Sequence, residues 1–309
     1  MFEARPFPEF SWSISRHKTF FECKRKYAYQ YYVSHNGWRF DSPLSAQEAY
    51  FYKKLSNLPM YLGDMLHQAI YQLLSHYRFK ELPPIEAVEK YIRDNLNTAY
   101  KYSQQRQLWH QKPKAIPLLR ELVYGEAVEK SKIADLTERL RQSLEALYEN
   151  ESFQKAMFAQ NIYLYEAEQF HSFRLHDIKV YIVMDLLYKD ENVGRWFIID
   201  WKTGRESKED RNQLALYSLY LHEKYHIHHE KIEIRNEYLA SKTQHISTIS
   251  TADLERANEI MLLSVNQMLQ YVADVEQNQP VDLKYFEKSE HPLKCANCHF
   301  QRICAKAKE

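Results

Sequence analysis

The stretch that decides the fold is RWFIIDWKT, residues 195–203, read together with IKVYIVMDLLY at 178–188. Both have strand length and are rich in Ile, Val, Phe and Tyr, and each sets one carboxylate inside an apolar run. The link between them, KDENVG (189–194), is short and polar, as a hairpin connection requires. Residues i and i+2 of a strand share a face, so Ile198, Asp200 and Lys202 point one way, and Val183, Asp185 and Leu187 do the same on the neighbour. Paired as a hairpin, the two strands would converge two carboxylates and one ammonium. Burying that much charge is costly unless something binds between the groups. A divalent cation would satisfy the carboxylates, while the lysine could orient or help deprotonate a water, or stabilise charge developing on a phosphate. Alone, Asp-x-Lys reads as a solvated strand end with an ion pair. The run Phe197-Ile198-Ile199 before Asp200 argues instead for a core strand emerging at its end.

Working outward, YLYEAEQF (163–170) and KIEIRNEYLA (231–240) read as further strands. Of Glu166 and Glu168 on the first of these, one could orient a ligand or water, but both are read as solvated strand residues and left outside the site. Helices are expected over 16–33, with Ser15 as N-cap, and over 61–77, 210–223 and 252–275. Two prolines at 83 and 84 open a mostly helical insertion over about 81–159, broken near Pro113, Pro117 and Gly125 and without recognisable chemistry. The reading is one α/β domain: a mixed sheet flanked by helices, a core over about 160–245, the insertion, and a cysteine-rich tail at 291–309.

Composition narrows the function. The chain has 309 residues, 42 Lys+Arg against 41 Asp+Glu, and only five glycines. No two glycines lie close enough for a dinucleotide fingerprint or a phosphate loop, which removes Rossmann dehydrogenases, P-loop motors and protein kinases. A net charge of +1 leaves any nucleic-acid surface local rather than global. Mean hydropathy of -0.63 and the lack of a long apolar run exclude a helical membrane span, and MFEARPFPEF (1–10) lacks a secretory apolar core, so a cytoplasmic protein is expected. Four cysteines in such a chain point to metal or redox chemistry rather than a disulfide framework.

Asp200-Trp201-Lys202 resembles the (D/E)-x-K core of the PD-(D/E)XK nuclease superfamily, in particular its RecB-like branch. Asp185 in VMDLLY (183–188) takes the place of that branch's upstream Asp. His67 in GDMLHQAI (63–70) resembles its helical metal-binding His, and Gln213 and Tyr217 in QLALY (213–217) resemble its Q-x-x-x-Y motif. The likeness spans about 13–74 and 162–304. One departure is Val183, where the branch often has Gly, which puts the local strand geometry in question. By itself, His67 beside Leu66 and Ile70 would read as a core histidine. The resemblance implies a restriction-endonuclease-like fold in which His67, Asp185, Asp200 and the Trp201 carbonyl hold Mg2+ or Mn2+. Lys202 would position the attacking water.

Cys295, Cys298 and Cys304 form C-x2-C-x5-C, with Cys23 alone near the other end of the chain. Thiolate spacing leaves zinc and an iron–sulfur cluster nearly level, and His291 and His299 stand close by. Within the resembled superfamily, one Cys before the nuclease motifs and three after them mark iron–sulfur nucleases, so the resemblance implies a structural 4Fe–4S cluster. It also suggests single-stranded DNA as substrate, cut exonucleolytically from a 5′ end, and a helicase or CRISPR adaptation proteins as partners. The basic, aromatic segment 16–33 offers Arg16, Lys24, Arg25 and Lys26 for the DNA backbone and tyrosines for base stacking. The competing readings are a nuclease-fold clamp without cleavage, whose mark would be a missing catalytic residue, and an assembly scaffold. None of the motif residues is missing.

Overall fold

The structure, a computed structural model, describes residues 5–204 and 210–306, leaving aside the side chains of Gln169, Asp210, Arg211, Asn212 and Lys306. Its centre is a five-stranded mixed sheet in chain order: β1 (Ile162–Leu175), β2 (Ile178–Asp190), β3 (Arg195–Lys202), β4 (Ile232–Tyr238) and β5 (Thr243–Ser247). β1, β2 and β3 form an antiparallel meander. β4 lies parallel to β3, reached through a helix at Asp210–Tyr225, and β5 returns antiparallel at the edge. A parallel neighbour needs such a crossover, whereas the meander needs only tight turns. The register pairs Leu186 with Ile199, so Asp185 and Asp200 stand at the next step, where the two strands part.

Helices cover both faces. On one lie α1 (Ile14–Glu22), α2 (Lys24–Ala28), the Asp210–Tyr225 helix and a helix at Thr251–Leu269, packed on Val180, Leu187, Ile198, Ile232 and Ile234. On the other, α3 (Leu44–Lys53) leads into α4 (Leu58–His76), which joins α5 (Ile85–Gln104), α6 (Lys130–Glu149) and α7 (Glu151–Phe158) over Leu186, Ile199 and Trp201. The crossover helix Asp210–Tyr225 is α8 and Thr251–Leu269 is α9. Segment 81–159 therefore supplies much of one helical layer: Val88, Ile92, Leu144, Leu147, Phe153 and Met157 are all buried against the sheet side. Glu121 from this segment is buried and accepts the Leu58 amide with both carboxylate oxygens, at 3.0 and 3.2 Å, capping α4 together with Asn57.

Local chemistry redraws several expected boundaries. The helix over 16–33 begins instead after Ser13, whose Oγ accepts the Arg16 amide at 3.1 Å, so Ser15 is not the cap. It then breaks at Cys23, which is extended. The Cys23 sulfur accepts the Lys26 amide and restarts the chain as α2, followed by a π-turn at Tyr29–Val33. The helix over 252–275 stops at Leu269, because Asp274 accepts the Gln277 amide and Asn278 takes a positive φ of 53°, turning the chain into a small hairpin. Among the described residues, no helix is long and apolar enough to cross a membrane.

Candidate active site

The site forms where β2 and β3 part beneath α4. Gly63, one turn before His67, permits this approach: a Cβ there would stand 3.1 Å from Thr203 Oγ1, just past Lys202. Arg139 of α6 donates to the Thr203 carbonyl at 2.8 Å and ties the helical layer to the same strand end. His67 then reaches the sheet. Its Nδ1 lies 2.7 Å from Glu168 Oε1 and 3.5 Å from Asp185 Oδ2. Asp185 Oδ2 also accepts the Trp201 amide at 2.7 Å, which links the two strands where their ladder ends. Asp200, only 1% exposed, meets Lys202 Nζ at 2.7 Å. One ligand atom each from His67, Glu168 and Asp185 lies within 4.8 Å of the other two.

From α8, Gln213 Nε2 donates to Tyr217 Oη, and Tyr217 donates to the Val183 carbonyl at 2.5 Å. This fixes the main chain two residues before Asp185. The geometry Val183 put in question is thus regular pairing: Val183 lies opposite Phe170 and is tied down through its carbonyl rather than needing glycine's freedom.

Burial makes these charges expensive. It raises Asp185 and Asp200 above the usual carboxylate range, the more so because each carboxylate faces further negative charge, which Lys202 and His67 only partly offset. Burial alone would lower His67, but Asp185, Glu168 and Asp200 outweigh it and push it up to about 10. The site is thus rich in carboxylate oxygens, and His67 holds a proton where a cation would serve. Carboxylates with one imidazole suit a hard divalent ion such as Mg2+ or Mn2+, so the residues present fit one.

Glu166 and Glu168 require a correction, since neither is a solvated strand residue. Glu166 is 3% exposed and accepts from Tyr220 (2.6 Å), Tyr225 (2.7 Å) and Lys224 (3.1 Å), on the α8 side. Glu168 turns instead to His67. Two residues apart on a regular strand would share a face, but Glu168 has φ of 48°, which breaks the alternation between them. The carboxylate that sequence reasoning left out is held by a backbone conformation costing on the order of 1–3 kcal/mol. Its only sequence signal was an acidic pair in an aromatic strand.

The four cysteines converge on one cavity of about 320 Å³, lined also by Lys26, Lys288 and Lys294. The tail is docked there by the protein itself. Arg25 donates through Nε to the Phe286 carbonyl at 2.7 Å, Arg120 to Ala296 at 2.7 Å, Tyr124 to His299 at 2.8 Å, and Phe300 stacks on Tyr29 at 5.5 Å. Of the basic residues expected to track DNA, Arg25 is 8% exposed and committed to that docking. Lys26 pairs with Glu22 at 2.6 Å and Lys24 with Glu287 at 3.2 Å. Arg16 stands apart from them, on the side of the carboxylate site, near Gln213 and Tyr217.

These elements belong to one family. The model of the PD-(D/E)XK nuclease superfamily matches residues 11–305, and the chain is a member of that superfamily, with its restriction-endonuclease-like mixed sheet between helical layers. It is a nuclease of the kind that works with divalent metal. Two solved structures are similar to it. One is the crystal structure of "Putative exonuclease" from Eubacterium rectale, 12% identical over 92% of each chain, with a TM-score of 0.43. The other is SSO0001, 17% identical over 61% of this chain and 80% of that one, with a TM-score of 0.28. No curated protein matches the chain.

Proposed function

We propose that the chain hydrolyses phosphodiester bonds of DNA, single-stranded DNA foremost, at the cluster of His67, Asp185, Asp200 and Lys202, with Glu168 as a further member. The observation that carries this is the convergence of His67, Glu168 and Asp185 from a helix and two strands, beside the buried Asp200 and its partner Lys202. His67, Asp185, Asp200 and the Trp201 carbonyl would hold Mg2+ or Mn2+, which supplies Lewis acidity at the phosphate and lowers the pKa of bound water. Lys202, held by Asp200, orients the attacking water and faces the charge that develops on the phosphate. Tyr217 and Gln213 fix the strand before Asp185, so the carboxylate keeps its place as substrate arrives. Cleavage from a 5′ end is what the resemblance to RecB-like nucleases implies.

The same reading gives Cys23, Cys295, Cys298 and Cys304 a structural 4Fe–4S cluster. A zinc ion with Zn–S bonds of about 2.3 Å would draw its thiolates to roughly 3.8 Å apart. Among the described residues, no three of the thiols lie within 4.8 Å of one another, although all four line one cavity. Wider spacing around a space of 320 Å³ suits a cuboidal cluster, and three lysines suit its negative charge. Burial raises the Cys298 and Cys304 thiols, so metal would have to displace their protons.

The test is cleavage of an end-labelled single-stranded oligonucleotide by purified protein in Mg2+ or Mn2+, with and without EDTA. Metal-dependent cutting that chelation stops supports the reading. Tight DNA binding with no cutting in either metal would favour the non-cleaving clamp instead.

A further inference from the structure

Beside the carboxylate site runs a groove of about 600 Å³ that the proposed chemistry does not use. Its inner end is the site's own support, Val183, Gln213 and Tyr217. One wall is the outer part of the β1–β2 ladder, where Phe170 and Tyr181 stand with ring centres 4.8 Å apart. The same groove is lined by α1 and the π-turn, where the Arg16 guanidinium lies 4.2 Å above the Tyr31 ring.

A single exposed aromatic on a protein surface is ordinary. Phe170 differs in its company. It is 67% exposed on the edge strand of the sheet, a place where bare apolar side chains invite aggregation. It is paired with a second ring in a groove that a third also lines, and it lies two residues along β1 from Glu168, the carboxylate bonded to His67. Tyr181 likewise lies on β2 shortly before Asp185. Aromatic faces and a cation along one groove are what bind an unpaired nucleotide: every base has a π-face, and stacking is worth about 1–3 kcal/mol per base. A base still paired in a duplex offers no free face to such a wall.

Resting on the proposed nuclease function, we infer that this groove is a subsite for one unpaired nucleotide of DNA adjoining the scissile phosphate. Its base stacks on the Phe170–Tyr181 wall, and Arg16, held flat by Tyr31, contacts its phosphate. The subsite selects unpaired over paired strands, and its continuity with Tyr217 sets which phosphate reaches Lys202.

The test measures binding of a fluorescent oligo(dT) to wild type, Phe170→Ala and Phe170→Trp in Ca2+, a condition intended to allow binding without turnover. Single abasic positions are then walked along the oligonucleotide. Phe170→Ala should weaken single-strand binding roughly tenfold, leave duplex binding unchanged, and keep the wild-type melting temperature; Phe170→Trp should restore affinity. One abasic position should weaken wild type by a similar factor and add little to the loss in Phe170→Ala. Unchanged single-strand affinity in a folded Phe170→Ala protein, with wild type still cutting DNA in Mg2+, would overturn the subsite while leaving the nuclease intact. A wild-type protein that neither binds nor cuts DNA would remove both.

Discussion

At the scale of single residues, the site is a contest between burial and charge. Asp185 and Asp200 sit where ionisation is disfavoured, and a divalent cation is the partner that makes it favourable. The sign of the pH effect follows. A carboxyl whose folded pKa is raised favours the metal-free fold at low pH, and that contribution is lost as pH rises through the raised value. A bound cation needs the ionised form. The rise in melting temperature caused by Mn2+ should therefore be larger at pH 8 than at pH 5.5, read by thermal denaturation at both. An equal rise at both would mean that Mn2+ binds elsewhere. Lys202→Ala should abolish cleavage without weakening Mn2+ binding, since the ammonium opposes a second cation rather than ligating it. The Asp-x-Lys pair, His67 and Tyr217 were legible because each sits in a short motif of fixed order. Glu168 was not, because its φ of 48° reverses the parity by which strand residues are assigned to faces.

At the scale of elements, strands declare themselves through apolar and β-branched runs, and β1 to β4 all lie where such runs occur. β5, Thr243–Ser247, has one apolar residue and forms because β4 offers it an open edge, a tertiary cause with no local signal. The break at Cys23 is of the same kind: Arg25 bonds to carbonyls at 286 and 287, so the helix yields to the tail it receives. Arg25→Ala should consequently lower thermal stability while leaving the salt slope of DNA binding unchanged. Arg16→Ala should spare stability and flatten the slope by about 0.7, one phosphate contact on a single strand. Measuring the affinity of both variants across salt concentrations separates the two roles. The cap on α4 gives a second element-level test. Glu121→Ala strands the buried Leu58 amide at a cost of about 1–3 kcal/mol. Because α4 carries His67, the loss should appear both as a lower melting temperature and as weaker Mn2+ binding.

At the scale of the whole molecule, the carboxylate cluster and the cysteine cavity share one chain with a near-balanced charge of +1. The tail is fastened to residues 25, 29, 120 and 124 before any metal is considered, so the cysteine cavity is pre-shaped and its occupant adds to an existing joint. Purified protein should be brown and contain iron. Cys298→Ala should bleach it and lower its melting temperature without removing the carboxylate site, and elemental analysis finding zinc and no iron would contradict the cluster. Sequence spacing brought the two chain ends together but could not show that segment 81–159, which carries no motif, builds much of a helical layer and caps the helix of His67. That contribution is packing, and packing leaves no short pattern. On the proposed function, the buried Asp200 carboxylate serves phosphodiester hydrolysis rather than the fold. Single-turnover cleavage of labelled single-stranded DNA in Mn2+ by wild type and Asp200→Asn, with melting temperatures measured on the same samples, tests it most directly. The variant should keep its folded state and lose cleavage by a factor of about a hundred to a thousand. An intact Asp200→Asn protein that cuts at the wild-type rate would contradict it.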